Sequence, residues 1–88
     1  MKATKLTTRI LFFGALKDVA GGEKLVDLPA HVRDFSSLVA WLSESDPELG
    51  AALGAPAIRF AVDKRMIARD EAFSNPQEIA FMSPFSGG

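Results

Sequence analysis

The segment Thr7–Phe13 reads Thr-Thr-Arg-Ile-Leu-Phe-Phe and carries apolar side chains at both alternating sets of positions. β-Branched and aromatic residues favour extended backbone, in which successive side chains point to opposite faces. Ile10 and Phe12 then share one face, and Leu11 and Phe13 share the other. Strands with two apolar faces are usually covered on both sides, so this one is expected to be central in its sheet. A chain of 88 residues has room for only one such sheet and one thin core. The expected organisation is therefore a single domain over residues 1–88, with a polar lead-in at 1–6.

The remaining pattern supplies the partners of that strand. Gly14–Ala20 reads as a short connector, and Gly21-Gly22 as a turn. Glu23–Leu28 alternates as a second strand, with Val26 and Leu28 on one side and Pro29 closing it. Ser36 or Ser37 is the expected N-cap of the main helix, Ser37–Ser45. Leu38, Trp41 and Leu42 form its apolar stripe, which Val39 broadens. Asp46-Pro47 starts a second, short helix through Leu53, stopped by Gly54. Ile58, Phe60 and Val62 alternate with Arg59, Ala61 and Asp63; after the polar break Asp63-Lys64-Arg65, Met66–Ala68 completes a hairpin. Asn75-Pro76-Gln77 is a turn, and Glu78–Met82 a last strand with Ile79 and Phe81 on one face and Ala80 and Met82 on the other. The fold class is α+β, a mixed five-stranded sheet with one main helix packed on one face.

Composition excludes most catalytic chemistry. The chain has no cysteine, hence no disulfide, thiolate metal site or cysteine nucleophile, and its one histidine, His31, rules out histidine clusters. No spacing suits a metal, and no glycine-rich phosphate loop precedes a helix. A net charge of −1 lacks the basic footprint of a nucleic-acid or anionic-membrane binder. No apolar run approaches the length of a membrane span. Lys2, Lys5 and Arg9 before Ile10–Leu16 faintly resemble a secretion signal, but the run is short and ends at Lys17-Asp18, so a cytoplasmic location is expected. Asp63, Asp70, Glu71 and Glu78 read as solvated acids, and His31 as a surface or capping residue. Arg59, Lys64, Arg65 and Arg69 cluster locally, either as surface charge or as a docking patch for an acidic partner.

The end of the chain stands apart. Phe81-Met82-Ser83-Pro84-Phe85-Ser86-Gly87-Gly88 runs from a strand almost directly into a terminal Gly-Gly. Glycine has no Cβ, so such an end fits a narrow channel in another protein. Pro84 lacks an N–H and stops further sheet pairing, so residues 83–88 are expected to protrude as a flexible tail with an unhindered carboxylate. A carboxylate becomes an electrophile once activated, for example as an acyl-adenylate. Sulfur held there as a thiocarboxylate needs no cysteine.

Three stretches resemble a known family. Arg9-Ile10-Leu11-Phe12-Phe13-Gly14 looks like the first strand of the small subunit of molybdopterin synthase, a ubiquitin-like β-grasp sulfur carrier. Leu16-Lys17-Asp18-Val19-Ala20-Gly21 is similar to the segment that follows it, and Glu78–Gly88 to the last strand and tail. The resemblance covers about Arg9 to Gly88, and Phe81-x-x-Pro84-x-Ser86-Gly87-Gly88 is its most specific part. It implies that a ubiquitin-activating-like adenylyltransferase consumes ATP to adenylate Gly88. A sulfur donor enzyme then supplies the sulfur that replaces AMP, leaving a thiocarboxylate. Gly87 would enter the large synthase subunit with the tail, and the sulfur would pass to cyclic pyranopterin monophosphate to build the molybdopterin dithiolene. The family assembles as a heterotetramer whose catalytic side chains lie on the large subunit, so no cofactor or metal is held stably here. Nucleic acid and membrane are not implied as partners. Phe13, Met66 and Met82 match positions of an apolar docking surface, extended by Pro84 and Phe85.

There are departures. The family usually has an acidic-Gly-acidic turn where this chain has Asn75-Pro76-Gln77, a Pro-Pro where it has Ser83-Pro84, and an aromatic residue where it has Met82. Two other functions share features of the tail: a sulfur carrier for thiazole formation in thiamine synthesis, and a ubiquitin-like interaction module or protein modifier.

Overall fold

The computed structural model describes residues 7–83. The elements are β1 (Thr7–Phe13), α1 (Leu16–Ala20), β2 (Glu23–Asp27), α2 (Phe35–Ser45), α3 (Pro47–Leu53), β3 (Arg59–Val62), β4 (Arg65–Ile67) and β5 (Glu78–Met82). They form one five-stranded mixed sheet in the order β2-β1-β5-β3-β4. β1 and β5 run parallel, with Ile10 beside Ile79 and Phe12 beside Phe81, while every other pair is antiparallel. β1 is thus an interior strand, as its two apolar faces require, but the middle position belongs to β5.

One face of the sheet makes the core. Ile10, Phe12, Phe60, Ile79 and Phe81 join Phe35, Leu38 and Leu42 of α2 and Leu49 and Leu53 of α3 in a single buried cluster. The aromatic rings give it geometry as well as area. Phe81 stacks on Phe12 at 5.8 Å and on Phe60 at 5.9 Å, and Phe35 lies 4.9 Å from Phe60.

The main helix begins at Phe35 with Asp34 as its cap, not at Ser37 with a serine cap. The Asp34 carboxylate accepts from the Ser37 N–H at 2.9 Å, and the Ser37 hydroxyl accepts from the Asp34 N–H at 3.1 Å, a reciprocal capping box. The Ser37 hydroxyl also donates to the Asp34 carboxylate at 2.6 Å, and this bond first, then that from the Ser37 N–H, holds the Asp34 carboxyl below its ordinary value. The earlier start has a packing reason, since Phe35 lies three and seven residues before Leu38 and Leu42 and completes their stripe. The short helix does start on an Asp46 cap with Pro47 at its first position. β2 stops at Asp27, opposite Thr7 and one residue short of Leu28, ahead of Pro29. β3 starts at Arg59, since the Ile58 N–H is committed to the Ala55 carbonyl at 3.1 Å.

The turns that aim β5 are fixed by side chains. Asp63 and Lys64 both take positive φ, 50° and 70°, which matches the twist of a tight two-residue hairpin, so Arg65 already belongs to β4. The Asp63 carboxylate accepts from the N–H groups of Gln77 and Glu78 at 2.9 and 3.0 Å. Asn75 has φ 47°, a conformation its short polar side chain tolerates, and so turns the chain into β5. The buried Thr8 hydroxyl donates to the Pro76 carbonyl at 2.7 Å and ties that turn to β1.

Candidate functional site

Alternation that buries Phe12 and Phe81 turns Phe13 and Met82 to the other face of the sheet. That face carries no helix of the core cluster, and its register can be read across four strands. Leu11 sits beside Ala80, Ala80 beside Ala61, and Ala61 beside Met66. One row further along, Phe13 sits beside Met82 and Met82 beside Arg59. Phe13 is 48% exposed and Met66 51%, while Leu11 and Met82 are half-buried. The structure therefore brings the three expected docking residues onto one open apolar surface. Exposed apolar surface of this kind makes the face a candidate docking surface. Leu25, 65% exposed and beside Arg9 on the same face, was missed. Its alternation within Glu23–Asp27 was the available signal.

The basic cluster divides. Arg69 is a structural residue: one guanidinium nitrogen donates to the carbonyls of Ala55, Pro56 and Ile58 at 2.8, 3.2 and 2.9 Å. Its charge also lies 4.4 Å over the Phe35 ring. Arg65 pairs with Glu71 at 3.5 Å. Arg59 stands on the open face beside Met82, and Lys64 lines a hollow with Arg9, Leu25 and Glu78 at the far end of that face. Arg9, on the same face, is paired with Glu23 at 3.4 Å.

At the end of this face β5 gives way to Ser83. The Ser83 hydroxyl accepts from the Ala15 N–H at 2.9 Å, in the turn between β1 and α1. Gly14 in that turn has φ +69°, and a Cβ on it would lie 2.5 Å from the Ser83 Oγ. Glycine is needed there for both conformation and clearance. Ser83, assigned to the tail by sequence, is thus anchored to the body. Pro84, Phe85, Gly87 and Gly88 lie outside the described residues.

The acids and the histidine do not converge. Asp63 serves the turn before β5, Glu71 faces Arg65, and Asp70 and His31 are exposed. Among the described residues no group of three or more His, Asp or Glu could hold a metal ion. No helix among them is long and apolar enough to cross a membrane.

The fold resembles solved structures. A crystal structure of SAMP1 from Haloferax volcanii superposes with a TM-score of 0.73 at 22% identity, covering 93% of this chain and 99% of that one. A second, of the H. volcanii small archaeal modifier protein 1, gives 0.69 at 21% identity, covering 90% and 98%. At these identities the likeness speaks for the fold, which is the ubiquitin-like β-grasp. No curated protein matches the sequence. The family model described as the ThiS family matches residues 10–88, which include β1 from Ile10 onward, Phe13, Met66 and Met82 of the open face, and the terminal Gly-Gly. With β-grasp topology and that match in hand, the chain belongs to the ThiS family of ubiquitin-like sulfur carriers.

Proposed function

We propose that this chain is the sulfur carrier subunit of molybdopterin synthase. The carrying observation is the pairing of Phe13 with Met82 on an open apolar face, from whose end the chain continues toward Gly87-Gly88. An apolar face supplies docking area, and a terminal glycine supplies an unhindered carboxyl group. In this reading the face docks first on an adenylyltransferase. The Gly88 carboxylate attacks the α-phosphorus of ATP and pyrophosphate leaves. Sulfide delivered by the donor enzyme then displaces AMP, leaving a thiocarboxylate. The same face docks on the large synthase subunit in a heterotetramer, with Pro84, Phe85 and Gly87 entering it. There the thiocarboxylate sulfur bonds to a carbon of cyclic pyranopterin monophosphate, and water cleaves the resulting thioester, leaving the sulfur on the pterin and regenerating the carboxylate. Cytoplasmic residence goes with this reading.

The modifier reading draws on the likeness to small archaeal modifier proteins, since the same activated carboxyl group could acylate a lysine amine. The thiazole reading shares the tail chemistry; the helical middle from Phe35 to Leu53 and the Phe81-Met82-Ser83-Pro84 approach to the tail favour the molybdopterin one.

The test is intact-protein mass after incubation with the host's adenylyltransferase, ATP and a sulfur source, with a Gly88-deleted chain as control. A gain equal to sulfur replacing oxygen, in the full chain only, is the expected result. No gain, with an enzyme competent on another carrier, overturns the sulfur-carrier reading. Binding of the loaded chain to a thiazole synthase and not to a large synthase subunit would reassign the pathway. Lysine-linked conjugates without a thiocarboxylate would favour the modifier.

A further inference from the structure

The proposed chemistry uses the last residue of the chain, yet nothing in it says how the tail is aimed. A strand that ends without a constraint lets the following residues leave in many directions, and each added direction dilutes the productive one. Here the first residue past β5 is held. The Ser83 Oγ takes the Ala15 N–H at 2.9 Å, a good distance for an N–H donor. Its own proton faces the Phe13 carbonyl at 3.4 Å, which is long for a hydroxyl donor and adds little. Ala15 is the first residue after Gly14, and its N–H has this side chain as partner across 68 positions of sequence.

Gly14 completes the arrangement. Its missing Cβ leaves the space that the Ser83 hydroxyl and carbonyl occupy, 2.5 and 3.1 Å from where a Cβ would stand. The contact cannot form beside any other residue without a shift. It also bridges the two neighbours of the docking pair, since Gly14 follows Phe13 and Ser83 follows Met82. The chain exit is therefore tied directly to the docking face.

We propose that Ser83 is a positioning residue: its hydroxyl, locked onto the Gly14-Ala15 turn, fixes the direction in which the chain leaves β5, so that docking through Phe13 and Met82 already aims the terminal carboxyl group at the reacting nucleotide. This does in one hydrogen bond what a second proline ring does by fixing φ. The inference rests on the proposed carboxyl-activation reading.

The experiment compares the full chain with Ser83→Ala and Ser83→Thr. Amide hydrogen exchange at Ala15 reports the contact itself and is expected to speed up in Ser83→Ala, with exchange at Ile79 and Phe81 unchanged. Steady-state adenylation, followed by pyrophosphate release with the chain as varied substrate, reports its use. For Ser83→Ala, kcat is expected to fall roughly 3- to 10-fold, the scale of one hydrogen bond, while KM holds because the docking face is intact. Ser83→Thr, which keeps the hydroxyl, is expected to restore kcat. A Ser83→Ala chain as active as the unaltered one overturns the positioning role and leaves the carrier reading standing. A fall confined to KM, or one that Thr does not rescue, also overturns it. An unaltered chain that is never adenylated overturns both.

Discussion

Phe12 and Phe13 are chain neighbours on opposite faces, and they separate folding from docking. Phe13 is 48% exposed, so about half of its side chain is already out of water. A buried aromatic removes roughly 150–250 Å², so Phe13 contributes about 100 Å² to the fold and has about 100 Å² left for a partner. At about 25 cal/mol per Å² each share is about 2.5 kcal/mol as an upper value. In Phe13→Lys the methylene stem retains part of the folding share, so the expected stability loss is about 1 kcal/mol, or roughly 4–8 °C in Tm. The docking share is lost and an ammonium must be desolvated as well, so Kd for the proposed large synthase subunit should rise about 70-fold. Phe12→Ala is the contrast. Phe12 is 1% exposed and stacked on Phe81, and its truncation should cost about 3–5 kcal/mol of stability. Titration calorimetry and thermal melts on both variants provide the measurement. Unchanged affinity in Phe13→Lys, with a normal melt, would refute the docking role of the open face.

Deleting Gly88 should leave the melting midpoint unchanged, because the core residues all lie between Ile10 and Phe81, and should abolish the mass gain; a large drop in Tm would sink that view. Arg69→Ala removes three carbonyl contacts and a cation–π contact, so it should cost about 2 kcal/mol in urea unfolding while leaving partner affinity unaltered. Asp34 has a folded pKa below the 3.8 of the free group, so its stabilisation is present above the unfolded value and is lost as pH falls through the folded one. Asp34→Asn keeps a cap without the titration, and its urea midpoint should fall less steeply than that of the unaltered chain on acidification; identical acid limbs would refute the assignment.

The legible parts of the fold are those whose signal is local. Two-residue alternation placed β1 and β5 at their observed bounds, and Asp46-Pro47 marked a helix start because cap and first-turn proline are adjacent. The Asp34 cap was missed because two serines competed for it, although Phe35 at stripe spacing with Leu38 carried the answer. The role of Arg69 had no local trace, since its acceptors lie 11 to 14 residues away. The Ser83 contact spans 68 positions, and a lone serine before a proline says nothing of a turn at the other end of the chain. Alternation did put Phe13 and Met82 opposite the core. That they are side-by-side partners follows only from the parallel pairing of β1 with β5.

That parallel pairing also governs when the molecule is complete. Ile10 has to wait for Ile79, so the two inner strands close only after nearly all of the chain has been synthesised. Pairings between such distant positions carry a large loop-closure penalty and are made late. Until then Phe12 has no Phe81 to stack on, and the first strand offers bare hydrophobic surface, which invites aggregation. The same event that ends this exposure lays Met82 beside Phe13 and seats Ser83 on its turn. A chain whose β1 and β5 have not yet paired therefore presents neither the proposed docking surface nor the anchored exit.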